Sequence, residues 1–273
     1  FIFPEDHQRT RLTHALEVAQ VAGGIARATG LNVALTEAIA LGHDCGHGPG
    51  GHASEDAFDY FVPGGFNHAT WGADVSLVDL NLCLETLDGI RNHSWSRPAP
   101  STPEGEVVSW ADRIAYVCHD FEDAVSSGIS SAENLPVLVR ERCGARRGQQ
   151  LGAFINAMIN TIRHTGIIGM DAAHAEALAA FRKFNYDSIY LRDASRDQAS
   201  AVISMLRALV EYYATHISDI PDVAEGLITP QNDDENLFAA VAYVAGMTDR
   251  YACRSAARFL DWPEDQMPRG IDR

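Results

Sequence analysis

The sequence has little positive charge. Its 273 residues carry 21 basic side chains against 37 acidic ones, which gives a formal net charge of -16, and Lys183 is the only lysine. Binding to a nucleic-acid backbone depends on clustered Lys and Arg side chains. The composition therefore argues against nucleic acid as the main ligand. A phosphate-bearing ligand would need a local positive site, such as a metal ion.

Paired cysteines and long apolar runs are also missing. The chain has no C-x-x-C spacing, no apolar run of about 18 residues and no secretory signal. We therefore expect no disulfide framework, no zinc ribbon, no membrane insertion and no secretion, and a cytoplasmic location fits best. The chain begins at Phe1, directly in "FIFPEDHQRTRLTH", which suggests a trimmed or fragmentary start.

Apolar residues recur at helical spacing almost throughout, without alternating strand patterns, repeats or low-complexity linkers. The pattern predicts a helix over 10–29 that ends at Gly30, and a second helix capped by Asn32. Further along the chain the same reasoning predicts a loop over 92–105, a helix over 106–126, at least three helices within 148–217, a loop over 219–236 and a last helix over 237–260. The predicted fold class is all-α.

Histidine is concentrated in the first half of the chain. Eight of the eleven histidines come before residue 120, namely His7, His14, His43, His47, His52, His68, His93 and His119. The stretch "HDCGHGPGGH" (43–52) alone contains three of them, together with an aspartate and four glycines. Such a density of imidazoles on a segment that cannot remain helical calls for a chemical explanation.

A divalent metal ion gives that explanation. His14 on the first helix, with His43 and Asp44 at the end of the second, would provide two imidazoles and a carboxylate, which suit Mn, Fe, Ni, Co or Mg. The glycines free the backbone to turn, so that His47 and His52 can point back toward the metal. For any one histidine taken alone, the alternative is a helix-end or loop imidazole satisfied by the backbone.

The segment "RTRLTHALEVAQVAGGIARATGLNVALTEAIALGHDCGHGPGGHASE" (9–55) closely resembles the deoxynucleoside triphosphate triphosphohydrolases, the dGTPase-like branch of the HD-domain phosphohydrolases. The resemblance continues at 111–128, 181–190 and 244–252. It implies an all-α HD-domain helical bundle with additional C-terminal helices. The metal-binding core would cover residues 1–130 and the C-terminal helical part 131–273, the two forming one continuous domain.

The resemblance also implies a ligand set for one divalent ion, which could be Mn²⁺, Mg²⁺ or another transition metal: His14, His43, Asp44 and Asp112. Asp112 has independent support, because it lies in an amphipathic helix where an unpaired carboxylate would be costly. The alternative for Asp112 is an exposed aspartate.

In the family that the sequence resembles, the residue matching His52 acts on the α-phosphate and the one matching Glu55 orients it. The i, i+3 spacing makes this pair physically reasonable. The alternative is a capping interaction as the next helix begins. The resemblance adds His47 to this catalytic set, and it places His47 and His68 against phosphate oxygens.

The substrate would meet several further side chains according to the same resemblance. Arg11, Arg113 and Lys183, the last beside Arg182, would contact phosphates. Tyr116 and Asp120 would hold the deoxyribose, and four-residue steps from Asp112 do put both on one helix face. The alternative is that Tyr116 is a core aromatic residue and Asp120 an exposed helix carboxylate.

The implied reaction is metal-dependent hydrolysis of dGTP, and possibly other deoxynucleoside triphosphates, to the deoxynucleoside and tripolyphosphate by a homo-oligomer. Two other functions stay open: another HD-type nucleotidase or phosphodiesterase, and a catalytically weak protein that senses deoxynucleoside triphosphates. Relatives carry an arginine-rich segment before the equivalent of "FIFPEDH". If the molecule lacks it, we expect impaired activity or assembly.

Overall fold

The computed structural model describes residues 10–268, and every regular element within that part of the chain is a helix. The all-α prediction is therefore confirmed. The start "FIFPEDHQR" lies outside the described residues. The α-helices are α1 Arg11–Thr29, α2 Val33–Gly42, α3 His52–Phe58, α4 His68–Trp71, α5 Leu84–Asn92, α6 Pro103–Ser126, α7 Val137–Cys143, α8 Arg147–Thr165, α9 Ala172–Asn185, α10 Asp193–Thr215, α11 Pro221–Ala224, α12 Asp233–Ala245 and α13 Asp249–Leu260.

These helices form two compact units. The first unit comprises residues 10–44 and Leu80–Ser195, and the second comprises Cys45–Asp79 and residues 196–268. The domain boundary at residue 130 that the sequence suggests stays a prediction. Among the described residues, no helix combines the length and apolarity that a membrane crossing requires.

The first two helices begin and end at their local sequence signals. Thr10 caps α1 by accepting a hydrogen bond from the Thr13 amide at 3.3 Å, and Gly30 ends it in the left-handed conformation with a φ of 79°. Asn32 caps α2 by accepting a hydrogen bond from the Leu35 amide at 3.2 Å. Side-chain acceptors at the N-cap and glycine after the last turn satisfy backbone groups that would otherwise lack partners.

Helix α6 is the centre of the first unit and contacts α1, α2, α5, α8 and α9. It begins at Pro103, three residues before the predicted start at Glu106. The reason is that Thr102 caps the first turn and proline suits the first helical position. The fully buried apolar residues of α6 are Val107, Val108, Ala111, Ile114, Ala115, Val117 and Cys118.

The prediction of a single helix over 237–260 is wrong. Residues 237–260 divide into α12 and α13, because the Thr248 hydroxyl accepts a hydrogen bond from the Tyr251 amide at 3.2 Å and starts a new helix. The predicted loop over 219–236 also contains α11 and the first turn of α12. The prediction of at least three helices within 148–217 is confirmed by α8, α9 and α10.

The second unit has its own apolar core, formed mainly by α10, α12 and α13 with the segment around α3 and α4. Its largest fully buried side chains include Phe58, Met205, Leu206 and Tyr213. The glycine-rich loop before α3 packs closely in this unit. A Cβ on Gly46 would lie 2.0 Å from the carbonyl oxygen of His68, so only glycine permits this approach.

We predict that Gly46→Ala destabilises the protein by about 3 kcal/mol, because a methyl group would collide with backbone atoms that cannot move aside as a side chain does. The control is Gly24→Ala in the interior of α1, where a Cβ meets nothing within 4 Å. That substitution should stabilise the helix by about 1 kcal/mol. Urea denaturation followed by circular dichroism measures both, and equal effects of the two substitutions would contradict the close-approach argument.

Candidate functional site

The four predicted metal ligands meet in the first unit. His14 lies on α1, His43 and Asp44 directly follow α2, and Asp112 lies on α6. These three helices pack against one another, which brings side chains from distant parts of the sequence to one place. We call these four residues the metal cluster.

The donor atoms of the metal cluster converge. Nε2 of His14 lies 3.1 Å from Oδ1 of Asp112 and 3.8 Å from Oδ2 of Asp44. Nε2 of His43 lies 3.4 Å from Oδ1 of Asp44 and 3.7 Å from Oδ1 of Asp112. Donors that share an ion at about 2.1 Å are themselves about 3 to 4 Å apart. The spacing therefore fits one divalent ion.

His43 shows most clearly that the cluster is built for a ligand. Its side chain is fully buried, and its Nδ1 bonds to the carbonyl oxygen of Ala40 at 2.7 Å. Its Nε2 is buried and makes no hydrogen bond. A buried polar atom without a hydrogen bond is costly. Coordination of a metal ion would satisfy this nitrogen.

The electrostatics of the cluster follow from its mixture of charges. Burial alone would lower the pKa of His43, but the carboxylates of Asp44 and Asp112 raise it to about 9. Burial likewise opposes the raised pKa of His14, which results from its hydrogen bond to Asp112. Burial opposes ionisation of Asp112, yet the two histidines hold its pKa well below the usual range. The Asp112 carboxylate is therefore ionised and available to a cation.

The predicted catalytic residues His47, His52 and Glu55 meet the predicted phosphate-binding residue His68 in the second unit. We call these four residues the histidine cluster. Glu55 is its hub. Its Oε1 contacts Nδ1 of His68 at hydrogen-bonding distance and lies 3.7 Å from Nδ1 of His52 and 3.8 Å from Nδ1 of His47. The His47 and His68 rings stack with centroids 3.8 Å apart. His52 is the exposed member, with 74% of its side chain accessible.

Glu55 is an anion in this arrangement. Burial would raise its pKa, but the contacts with His52 and His68 hold that pKa far below the usual range. A carboxylate beside imidazoles favours their protonated form. The histidine cluster is thus suited to donating protons and to neutralising negative charge.

The row that the sequence predicts on α6 is present, and a second helix segment contacts it. Nε of Arg182 donates a hydrogen bond to the Tyr116 hydroxyl at 2.9 Å. The hydroxyl of Tyr190 donates a hydrogen bond to the Asp120 carboxylate. Burial raises the pKa of both Tyr116 and Asp120. Tyr116 and Asp120 are half-buried, so the alternative of a fully exposed Asp120 does not describe the structure.

The basic residues predicted for phosphate binding differ in their surroundings. The guanidinium carbon of Arg113 lies 3.3 Å from the centroid of the Trp95 ring. Arg11 starts α1, one turn before His14, and is half-buried. Lys183 has a 77% exposed side chain, and its Nζ pairs with Oδ2 of Asp187 at 2.6 Å.

Sequence reasoning missed three residues next to these groups. His93 lies beside Asp44 and His43, Trp95 supports Arg113, and Tyr190 bonds to Asp120. The histidine count included His93, but a proline-rich loop follows it and gave no spacing signal. Tyr190 ends the segment "FRKFNYDSIY", where an aromatic residue at helical spacing reads as core.

Comparison with known proteins agrees with this geometry. Residues 11–117 match the HD domain family and residues 168–258 match the phosphohydrolase-associated domain family. The chain is 38% identical over 262 residues to a deoxyguanosinetriphosphate triphosphohydrolase-like protein of Clostridium perfringens (strain 13 / Type A), covering 90% of this chain and 75% of the relative.

Two further relatives carry the same name. The one from Caldanaerobacter subterraneus subsp. tengcongensis is 37% identical over 259 residues, which is 92% of this chain and 75% of the relative. The one from Desulfatibacillum aliphaticivorans is 32% identical over 274 residues, which is 90% of this chain and 76% of the relative. With identity at this level over most of both chains, the protein belongs to the deoxyguanosinetriphosphate triphosphohydrolase-like family of HD-domain phosphohydrolases.

Proposed function

We propose that the protein hydrolyses deoxynucleoside triphosphates, dGTP among them, to the deoxynucleoside and tripolyphosphate. The observation that carries this proposal is the buried Nε2 of His43, which makes no hydrogen bond and faces two carboxylates in a chain of this family. Water provides the oxygen that joins the α-phosphorus, and the 5′-oxygen leaves and takes up a proton. Mn²⁺, Mg²⁺ or another transition metal would be the cofactor.

The metal cluster would hold that cofactor through His14, His43, Asp44 and Asp112. When bound, a divalent ion polarises a phosphate oxygen and lowers the pKa of water. The protein fixes the donors in advance, because the Nδ1 bond of His43 to Ala40 sets which ring nitrogen faces the cluster. The carboxylates of Asp44 and Asp112 would compensate the positive charge of the ion.

The histidine cluster would supply the proton chemistry. His52 is the exposed member and is thus the one that a substrate can reach, while Glu55 stabilises its protonated form. We assign His52 the transfer of a proton to the leaving 5′-oxygen. His47 and His68 stack on one another and both face Oε1 of Glu55, and they would neutralise charge that develops on phosphate oxygens. Arg11 and Arg113 would add bidentate contacts to phosphates.

Tyr116 and Asp120 would recognise the sugar. The Arg182 hydrogen bond fixes the Tyr116 ring, and the Tyr190 hydrogen bond fixes the Asp120 carboxylate. A fixed aromatic ring can exclude a 2′-hydroxyl, whereas a mobile ring would move away. The carboxylate can accept a hydrogen bond from a 3′-hydroxyl. For the cellular location and the oligomeric state, we propose a cytoplasmic homo-oligomer, as the composition and the family resemblance suggest.

The decisive experiment incubates the protein with each of the four deoxynucleoside triphosphates and Mn²⁺ and identifies the phosphate product. Tripolyphosphate with free deoxynucleoside supports the proposal. Orthophosphate or a nucleoside monophosphate would instead indicate another type of HD nucleotidase or phosphodiesterase. Tight nucleotide binding without any product would indicate a sensing protein.

We predict that His43→Ala abolishes turnover and lowers bound metal from about one ion per chain to a small fraction, because a fully buried donor of the cluster is lost. Elemental analysis after Mn²⁺ loading measures the content. The control is His164→Ala, an exposed histidine on α8 that bonds only locally to Asn160 and should leave metal content unchanged. Normal metal content in His43→Ala would overturn the ligand assignment.

We predict that His52→Ala lowers kcat by about 10²-fold or more, the usual contribution of an acid–base group, with metal content unchanged. Because His52 is exposed, its removal should not alter the melting temperature. The control is His216→Ala, also exposed and in the same unit. An unchanged rate in His52→Ala would transfer the proton-donor role to His47 or to water.

We predict that deoxynucleoside triphosphates (dNTPs) are hydrolysed at least about tenfold faster than the matching ribonucleoside triphosphates (NTPs). The reason is that a 2′-hydroxyl pressed against a fixed Tyr116 ring would cost about 1–3 kcal/mol. Tyr116→Ala should narrow the ratio mainly by admitting NTPs. Tyr116→Phe keeps the ring but removes the hydroxyl bond to Arg182 that fixes it, so this variant should lose part of the discrimination, less than Tyr116→Ala does. Equal kcat/KM for dGTP and GTP in the unmodified protein would refute the sugar assignment.

A further inference from the structure

We propose that His93 is a fifth donor to the metal ion, so that the site offers three imidazole nitrogens and two carboxylates instead of two of each. The inference rests on the metal site proposed above and extends it. Nothing in the spacing of the sequence singles out His93, which lies between α5 and a proline-broken loop.

His93 faces the metal cluster. Its side chain is only 2% exposed, and its Nε2 lies 4.0 Å from Oδ1 of Asp44. Its ring meets the His43 ring edge to face, with centroids 4.9 Å apart and an interplanar angle of 81°. One ring nitrogen of His93, one of His43 and a carboxylate oxygen of Asp112 all lie within 4.8 Å of one another. This second triad shares His43 with the triad of His14, His43 and Asp44.

His93 is held in the same way as the ligand His43. Each directly follows the last residue of a helix, His43 after α2 and His93 after α5. Each bonds through Nδ1 to the carbonyl oxygen three residues earlier, Ala40 for His43 and Ile90 for His93, and both distances are 2.7 Å. A carbonyl can only accept, so Nδ1 carries a proton and Nε2 is the ring nitrogen that faces the cluster. Metal-binding histidines are oriented in this manner.

The backbone of His93 is tied to the helix that carries Asp112. The hydroxyl of Ser109 on α6 donates a hydrogen bond to the His93 carbonyl oxygen. Ser109 is itself buried and lies one helical turn before Asp112. The position of the His93 ring relative to this ligand is therefore set by a direct bond and not by loop packing alone.

A purely structural role explains this arrangement less well. Three imidazoles and two carboxylates in one desolvated region are expensive to bury, and an apolar side chain would fill the place of His93 at lower cost. Such a concentration of polar groups is expected where they serve a ligand. Three imidazoles also favour a transition-metal ion over Mg²⁺, which prefers oxygen donors and bound water.

To test this proposal, the protein is loaded with Co²⁺ and the number of imidazole donors is determined by X-ray absorption spectroscopy. The affinities for Co²⁺ and Mg²⁺ are measured separately by titration calorimetry. We expect three imidazoles in the unmodified protein and two in His93→Gln. We expect His93→Gln to weaken Co²⁺ binding by at least about tenfold, because even the loss of a residue that only hydrogen-bonds to a metal ligand has an effect of this size. We expect Mg²⁺ binding to weaken less. The control is His119→Gln, a buried histidine that pairs with Glu17 instead. It should keep three imidazoles.

The outcomes separate this inference from the proposed function. Two imidazoles in the unmodified protein, unchanged in His93→Gln, would overturn the role of His93 and leave the four-ligand site intact. Absence of bound Co²⁺ in the unmodified protein would overturn the metal site itself. Since the count in the unmodified protein needs no variant, poor folding of His93→Gln cannot obscure the result. Circular dichroism of the metal-free variants checks their folding.

Discussion

The desolvated carboxylate of Asp112 is the constraint on which the first unit depends. Its cost is offset only if cationic or metal-binding partners surround it, and His14 and His43 do so from α1 and from the end of α2. Such partners come within about 4 Å only if the three helices pack closely. Alanine at the buried positions of the contact faces permits this, with Ala22 on α1 and Ala115 on α6 as examples.

Carboxylates organise imidazoles in both units, but with different chemical results. In the metal cluster, the ring nitrogen of His43 that faces Asp44 and Asp112 makes no hydrogen bond, which suits coordination. In the histidine cluster, a single oxygen of Glu55 faces the Nδ1 atoms of three rings, which suits proton storage. His43 and Asp44 of the metal cluster are close in sequence to His47, His52 and Glu55 of the histidine cluster, yet the two clusters belong to different units.

Membership in the deoxyguanosinetriphosphate triphosphohydrolase-like family rests on identity that extends over 90% of the chain. The metal cluster and the histidine cluster both lie within residues 11–117, which match the HD domain family, whereas residues 168–258 match the phosphohydrolase-associated domain family. The hydrogen bonds from Arg182 and Tyr190 show how residues from the second of these matches contact α6 within the first unit.

The sequence by itself determined the helical fold class, the end of α1 at Gly30 and the cap of α2 at Asn32, and the family resemblance predicted the four residues of the metal cluster. The helix ends depend on hydrogen bonds between near neighbours, as Gly30 and Asn32 show. Only the tertiary structure decided that α12 and α13 are separate, that Lys183 pairs with Asp187, and that His93 faces Asp44. The reason is that helix periodicity specifies which side chains share a face, whereas the packing of distant segments specifies what that face meets.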